Sequence, residues 1–390
     1  MVGLSLAAAL AELPLDVVVI EPVAPESAGQ PSFDSRTTAL SSGSRRVLEG
    51  IGVWPALAGR ATPIRRIHVS ERGIFGTATL EAAEQGLTAL GYTIENRLLG
   101  QALRERVAGF PRIRLCPARV AGVEPGPDSV RLTTDAGEAI EARLLVAADG
   151  AESAVRSALG IVASVADYGQ HAVIAHVDTT KFHEYTAYER FTETGPLAIL
   201  PIVEGRSAVV WTLAPEAARR ALTLGDSAFL AELQRAFGLR LGRFTRAGRR
   251  QAYPLALTQA EQLTAPRAAV LGNAAQSLHP VAGQGFNLAL RDVAMLAELL
   301  AEGGDPGAAP LLARYADWRA PDREAVVRFT DALVRGFGLP LGPLRRARGQ
   351  GLMLFDLMRP AKREFARRTM GLAGRQPRLV RGLPLAGGRA

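Results

Sequence analysis

Residues 270–292 hold the densest chemistry in this 390-residue chain. They read Val270-Leu271-Gly272-Asn273-Ala274-Ala275-Gln276-Ser277-Leu278-His279-Pro280-Val281-Ala282-Gly283-Gln284-Gly285-Phe286-Asn287, with Arg291-Asp292 soon after. An apolar strand runs into a loop carrying two glycines and then into a helix. Gly283 and Gly285 let backbone come close to a flat ring. The helix that follows offers free N–H groups and the positive end of its dipole. Together they suit a ring that gains negative charge, such as the N1/C2 carbonyl edge of a reduced flavin. Asn273 is placed to hydrogen-bond a sugar-like chain. A plain loop capping a helix would leave the density of Gly, Gln, Asn and Pro unexplained.

A second constellation is Val146-Ala147-Ala148-Asp149-Gly150-Ala151-Glu152-Ser153-Ala154-Val155-Arg156. An apolar strand ends in Asp149-Gly150, where glycine permits a tight turn at the carboxyl edge of an open α/β sheet, the edge at which ligands bind. Its blander reading is a strand-to-helix turn capped by Ser153. The third, weaker constellation is Glu21, an acid closing the run Asp16-Val17-Val18-Val19-Ile20. An acid there can accept hydrogen bonds from a ribose diol. Gly3 falls where the last glycine of a G-x-G-x-x-G loop would stand; the other two positions, and the strand before them, would precede Met1.

These groups need elements to position them. Residues 3–13 read as a helix ended by Pro14, and 16–21 as a buried parallel strand, the second half of a βαβ unit. Residues 35–57 read as loop then helix. Strands are expected over 64–70 and 76–80, a helix over 96–107, and a hairpin of 130–134 with 139–148 about Asp135-Ala136-Gly137. From 171 to 213, short alternating segments suggest an antiparallel sheet. Helices follow at 227–237, 281–300 and 314–337, the last with a break at Pro321.

Bulk properties narrow the classes. Cys116 is the only cysteine, so neither an internal disulfide nor a cysteine metal cluster can form, which fits a reducing cytoplasm. His68, His171, His176 and His183 lack metal-ligand spacing. His279 has no companion and reads as structural; Trp54, Trp211 and Trp318 read as packing residues. No uncharged apolar run is long enough to span a bilayer. The net charge is +8. Twelve basic residues against Asp356 and Glu364 make residues 341–390 +10, which leaves −2 for the rest. No nucleic-acid ligand is therefore expected. A basic tail interleaved with Leu352, Met353, Leu354, Phe355, Leu357 and Met358 could lie on an anionic membrane or an acidic partner; a solvated helical face is the competing reading.

In chain order the three constellations resemble the FAD-binding aromatic hydroxylase family, the para-hydroxybenzoate hydroxylase-like proteins. The segments Phe33-Asp34-Ser35-Arg36-Thr37-Thr38-Ala39-Leu40-Ser41, Gly195-Pro196-Leu197-Ala198-Ile199-Leu200-Pro201, Tyr253-Pro254-Leu255 and Gly272-Asn273-Ala274-Ala275-Gln276 resemble its ubiquinone-biosynthesis subgroup. The resemblance implies an α/β fold: a Rossmann-like, glutathione-reductase-type FAD domain, an antiparallel-sheet substrate domain and C-terminal helices. It divides the chain into an FAD-binding domain (1–62, 95–165, 262–338), a substrate-binding domain (63–94, 166–261) and a basic helical tail (339–390). The family's first β-strand is missing from the chain as written, and a start site internal to a longer protein is the favoured explanation. That strand is central, so its neighbours would keep unpaired backbone groups, each costing roughly 1–3 kcal/mol.

Residue by residue, the resemblance implies that Gly3 and Glu21 serve the adenosine half of FAD. Arg36 would sit beside the cofactor and Gln101 near its phosphate or ribityl region. Asp149 and Gly150 would serve flavin and nicotinamide. Gly272 and Asn273 would hold the sugar chain, with Asn273 replacing the aspartate of the wider family. Pro280, Gly283, Gln284, Gly285 and Asn287 would line the isoalloxazine. The implied reaction is hydroxylation of a polyprenylated phenol, a 2-polyprenyl-6-methoxyphenol, with NAD(P)H and O₂ through a flavin C4a-hydroperoxide. A phenol is already activated, so no catalytic side chain is assigned. The implied setting is cytoplasmic, at the inner face of the membrane and in contact with a ubiquinone-biosynthesis complex. Competing readings are a sibling hydroxylase acting at another ring carbon, a prenyl reductase, and a non-catalytic subunit of that complex.

Overall fold

The computed structural model describes residues 1–23, 36–338 and 342–385. Phe33-Asp34-Ser35 of the subgroup motif, and Arg389 of the tail, lie outside the described residues.

The cofactor side is assembled from short strands in small groups. Val17–Ile20 pairs in parallel with Ile113–Cys116. Leu145–Ala147 pairs in parallel with Ala268–Val270, whose other edge takes Thr264–Ala265. No described strand joins these two groups. The apolar run after Asp16 is expected to be buried on both faces, but Val18 is 38% exposed, because only one edge of this strand is paired among the described residues. Four helices pack about these strands: Val2–Leu10, Ser42–Gly50, Asn96–Ala108 and Gln284–Ala301. Their apolar faces meet in the largest core, through Leu6, Leu48, Leu103, Leu290 and Leu296.

The other side is a nine-stranded sheet drawn from segments far apart in sequence. Its long central strand, Ala163–Thr179, is antiparallel to both Ser207–Leu213 and Gln251–Ala260. Thr186–Thr192 lies between Gly195–Pro201 and Arg66–Glu71, parallel to the latter. Because side chains alternate across a strand, the sheet has two distinct faces. One packs on helices Pro215–Thr223 and Asp226–Phe237 through Val173, Leu197, Val209, Trp211 and Phe229. The other face, treated below, is lined by small and apolar side chains.

Three expectations change in detail. Residues 139–148 are two strands, Ala139–Ala142 and Leu145–Ala147, in different sheets. Residues 37–41 form a strand rather than a loop, paired with Gly91–Glu95; Ser41 then caps the next helix by accepting from Ser44 N at 3.1 Å. Helix Ala309–Gly338 runs through Pro321 unbroken. The carbonyl that a mid-helix proline leaves unpartnered belongs to the turn at Asp317, which is exposed and can be hydrated. Asp322, next in the chain, is clamped by Arg291 and Arg319.

Candidate active site

The parallel pairing of Leu145–Ala147 with Ala268–Val270 brings the carboxyl ends of two strands side by side, and with them the two strongest sequence constellations. Arg156 joins them directly. It is buried, and its Nη1 donates to the carbonyls of Ala151 at 3.0 Å and Ala274 at 2.9 Å. Ser153 caps the helix that carries Arg156, accepting from Arg156 N at 2.9 Å. Asp149 accepts from the Ser153 hydroxyl and from Val155 N, so its carboxylate fixes the turn that Gly150 makes at φ +100°.

A second buried clamp holds the loop after residue 271. Asp292 Oδ2 accepts from Gly272 N at 3.1 Å and from Gln276 Nε2 at 2.9 Å, while its Oδ1 accepts from Arg319 Nε at 2.6 Å. Gly272 stands at φ +59°, and a Cβ there would meet a Val2 methyl at 2.9 Å, so glycine is required for the loop to rest on the first helix. Asn287 does the same for the start of helix Gln284–Ala301. Its Nδ2 donates to the carbonyls of Ala39 and Gly283, and its Oδ1 accepts from Ser41 N at 2.8 Å. Gln284 Nε2 donates to the carbonyls of Ala282 and Thr369, tying the loop to the C-terminal helices.

These clamps border a cavity of about 1540 Å³. Gly3, Glu21, Arg36, Asp149, Gly150, Asn273, Pro280, Gly283 and Gly285 all face it. Gly272, Gln284 and Asn287 stand behind the wall and shape it by the bonds just given. Gln101 is elsewhere: it is exposed on helix Asn96–Ala108, and its Nε2 donates to Glu105 at 2.8 Å. His279 is buried, and its Nδ1 accepts from Val281 N at 3.2 Å. Burial lowers its pKa to about 4, so the ring is a neutral loop support.

The walls fit a flat, negatively charged cofactor. Helices Val2–Leu10 and Gln284–Ala301 both begin at this cavity, neither has a side-chain cap, and neither carries an acid in its first turn. Their free N–H groups and positive dipole ends are open to a diphosphate and to the electron-rich edge of a ring. Among the described residues no atom would crowd a Cβ at Gly150 or Gly285 within 4 Å, which leaves the space beside them open. When bound there, FAD supplies hydride acceptance and oxygen activation that no side chain provides.

A chain built in this way is a flavin-dependent oxidoreductase with its reaction chamber against a β-sheet. Comparison with known proteins agrees. A family model described as an FAD binding domain matches residues 1–330. The chain is 41% identical to the ubiquinone hydroxylase UbiL of Rhodospirillum rubrum, over 99% of this chain and 91% of that one. It is 35% identical to the 3-demethoxyubiquinol 3-hydroxylase of Escherichia coli, over 95% and 96%. The crystal structure of p-nitrophenol 4-monooxygenase PnpA from Pseudomonas putida matches with TM-score 0.79 over 96% of each chain, at 19% identity, a likeness of fold. The chain belongs to the FAD-dependent aromatic hydroxylases, on their ubiquinone-hydroxylase branch. It is an FAD monooxygenase, a class that draws its electrons from NAD(P)H.

Sequence reasoning named Asp292 at the end of the motif without giving it a role, and it missed Arg319, which locks the loop with Asp292, and Glu189, which lines the cavity from the sheet. A signal for Glu189 was present. It sits between Ala187 and Phe191 at strand spacing, one acid on an otherwise apolar stripe.

Proposed function

We propose that this monooxygenase hydroxylates the ring of a polyprenylated phenol, a 2-polyprenyl-6-methoxyphenol, in ubiquinone biosynthesis. The observation that carries the reading is the extent of the apolar wall. It continues from the flavin loop past Phe329, Leu333 and Phe337 to Leu352, Phe355 and Phe365 of the C-terminal helices. One aromatic ring needs only the part beside the loop; an isoprenoid chain uses the remainder. The names of the relatives, both acting in quinone hydroxylation, point the same way.

The substrate is dissolved in lipid, and the outer face of helix Gly342–Leu357 suits contact with it. Leu354 is 60% and Leu357 78% exposed, with Phe75 of the neighbouring hairpin at 86%. Arg359, Arg363, Arg367 and Arg368 are exposed beyond them. Apolar tips ringed by arginine match an anionic bilayer surface. No helix among the described residues is long and apolar enough to cross a membrane, so the contact proposed is peripheral. The same face could instead meet a subunit of the biosynthetic complex.

The test uses FAD-loaded protein, NAD(P)H, oxygen and a set of synthetic prenylphenols with defined ring substituents. Oxygen incorporation into the 2-polyprenyl-6-methoxyphenol, located by mass and NMR, is the expected result. Hydroxylation of a different intermediate alone would move the assignment to another ring carbon. Nicotinamide oxidation without oxygen in any product, or protein that stays colourless after FAD is supplied, would overturn it.

A further inference from the structure

The cavity has one feature that FAD binding does not use. Among the described residues of the sheet wall, Glu189 alone carries a charge. It lies on Thr186–Thr192, flanked on its own face by Ala187 and Phe191. In register across the ladder it meets Ala198 on one side and Val69 on the other, with Val210 beyond Ala198. All five face the same cavity. Of the alternate residues, Arg190 turns away, its Nε donating to the Ala236 carbonyl at 3.1 Å, and the ring of Tyr188 stands edge-on to Phe237 at 5.4 Å. The nearby acid Glu71 is already engaged by Arg348 at 2.8 and 3.0 Å.

Among the described residues, Glu189 is therefore a carboxylate without a cation. One part of it interacts with the backbone N–H of Ala282, in the flavin loop itself. Its Oε1 is buried and makes no hydrogen bond. A buried acceptor left in that state destabilises the fold, and an apolar residue would remove the cost. Burial pushes the carboxyl up to about 7, which makes it a stronger base than an ordinary glutamate.

We propose that Glu189 is a catalytic residue: its carboxylate receives the hydroxyl of the phenol and takes its proton as the ring is oxidised. This rests on the phenol-hydroxylase reading above. In the step, the phenolic O–H bond breaks and the proton passes to the carboxylate. The electron pair left on oxygen is released into the ring, toward the carbon that gains the new oxygen. The oxygen atom and two electrons come from O₂ and NAD(P)H, as in the established reaction; Glu189 moves only a proton. The link to Ala282 places this base on the same support as the flavin loop, so ring and phenol share one frame.

The experiment compares FAD-loaded wild type with Glu189→Gln on a prenylphenol substrate across pH. The kcat of wild type should rise as pH rises through about 7, where the Glu189 carboxyl ionises, and Glu189→Gln should lack that limb. Glu189→Gln should lower kcat about a hundredfold, the size usual for loss of a general base, with KM and FAD affinity little changed. Its apoprotein should melt higher than wild type at neutral pH, whereas loss of a structural carboxylate would lower the melting point. Equal turnover by the two proteins overturns the proposal. If Glu189→Gln cannot be produced folded, wild type decides: a kcat that does not change with pH through the range where Glu189 ionises also overturns it. A wild type that hydroxylates no phenol would instead refute the function, a separate outcome.

Discussion

The two walls of the cavity are made on opposite principles. The flavin wall consists of loops and helix ends whose useful groups are backbone N–H, and nothing regular holds such loops in place. Buried polar clamps do so instead: Arg156 on Ala274, Asp292 between Gly272 and Arg319, and Asn287 on Ala39 and Ser41. The substrate wall is a continuous ladder that needs no clamp. Its face is apolar, and a single carboxylate stands out from it. Recognising a charged cofactor takes many fixed dipoles. On the reading proposed above, an isoprenoid phenol asks of the sheet wall surface area and one acceptor.

This contrast can be broken most directly by damaging each wall in a matched way. Arg319→Met removes the cation from a fully buried pair and leaves Asp292 with only its two neutral donors. Leu197→Ala opens a hole on the helix-packed face of the sheet, where Leu197 is fully buried. Each should lower stability by about 3 kcal/mol in denaturant titrations. Only Arg319→Met should also weaken FAD, by about tenfold or more in fluorescence titration. Equal FAD affinity in the two variants would show that the clamp supports the fold in general and not the loop.

The walls should also answer pH with opposite signs. His279 on the flavin side has its pKa lowered from 6.5 to about 4 by burial. The folded protein resists protonation there, so this stability is complete above pH 6.5 and is lost as pH falls toward 4, to a limit of about 3 kcal/mol. Glu189 is raised from 4.5 to about 7. Its burden is absent below pH 4.5, grows between pH 4.5 and about 7 and is constant above, and it is smaller than that limit because the cavity admits water. His279→Asn keeps an acceptor for Val281 N and should flatten the acid limb of a stability–pH curve. Glu189→Gln should remove the opposing fall over nearly the same range and so steepen the rise of stability with pH. Curves that shift together would remove the distinction between the walls.

A smaller effect is expected from Asn287→Ala. Three hydrogen bonds of about 1 kcal/mol each are lost, part of which water can replace. The fold should survive with about 2 kcal/mol less stability, and the loss should appear mainly as faster FAD release.

What could be read from the chain followed the same division. The flavin loop and the Asp149-Gly150 turn are contiguous in sequence, and their residue types state their work. Their convergence also follows from two apolar strands that each end in a turn. The sheet wall is different. Its nine strands come from segments between residues 66 and 277, and no local pattern says which register puts Val69, Glu189 and Ala198 in one row. Alternation marked these segments as strands but not as neighbours. The clamps were hidden for a similar reason: Asp292 and Arg319 are 27 residues apart, and each alone resembles an ordinary charged helical residue. Val18 shows the converse, an apolar run read as fully buried whose burial depends on what lies along its second edge.

The smallest predicted effect is the most exacting for the resemblance to the family. That resemblance assigns Gln101 to the phosphate or ribityl region of FAD. Here it lies on the solvent side of helix Asn96–Ala108, bonded to Glu105 one turn on, while Leu99, Ala102 and Leu103 of the same helix enter the core. Helical spacing cannot turn Gln101 toward the cavity without pulling those three out of it. Gln101→Ala is therefore expected to change stability by less than about 0.5 kcal/mol and to leave FAD affinity within twofold. If FAD binding falls tenfold instead, the helix must rotate or the chain around it rearrange when the cofactor enters. The flavin wall would then be formed by its ligand, while the sheet wall stands ready without one.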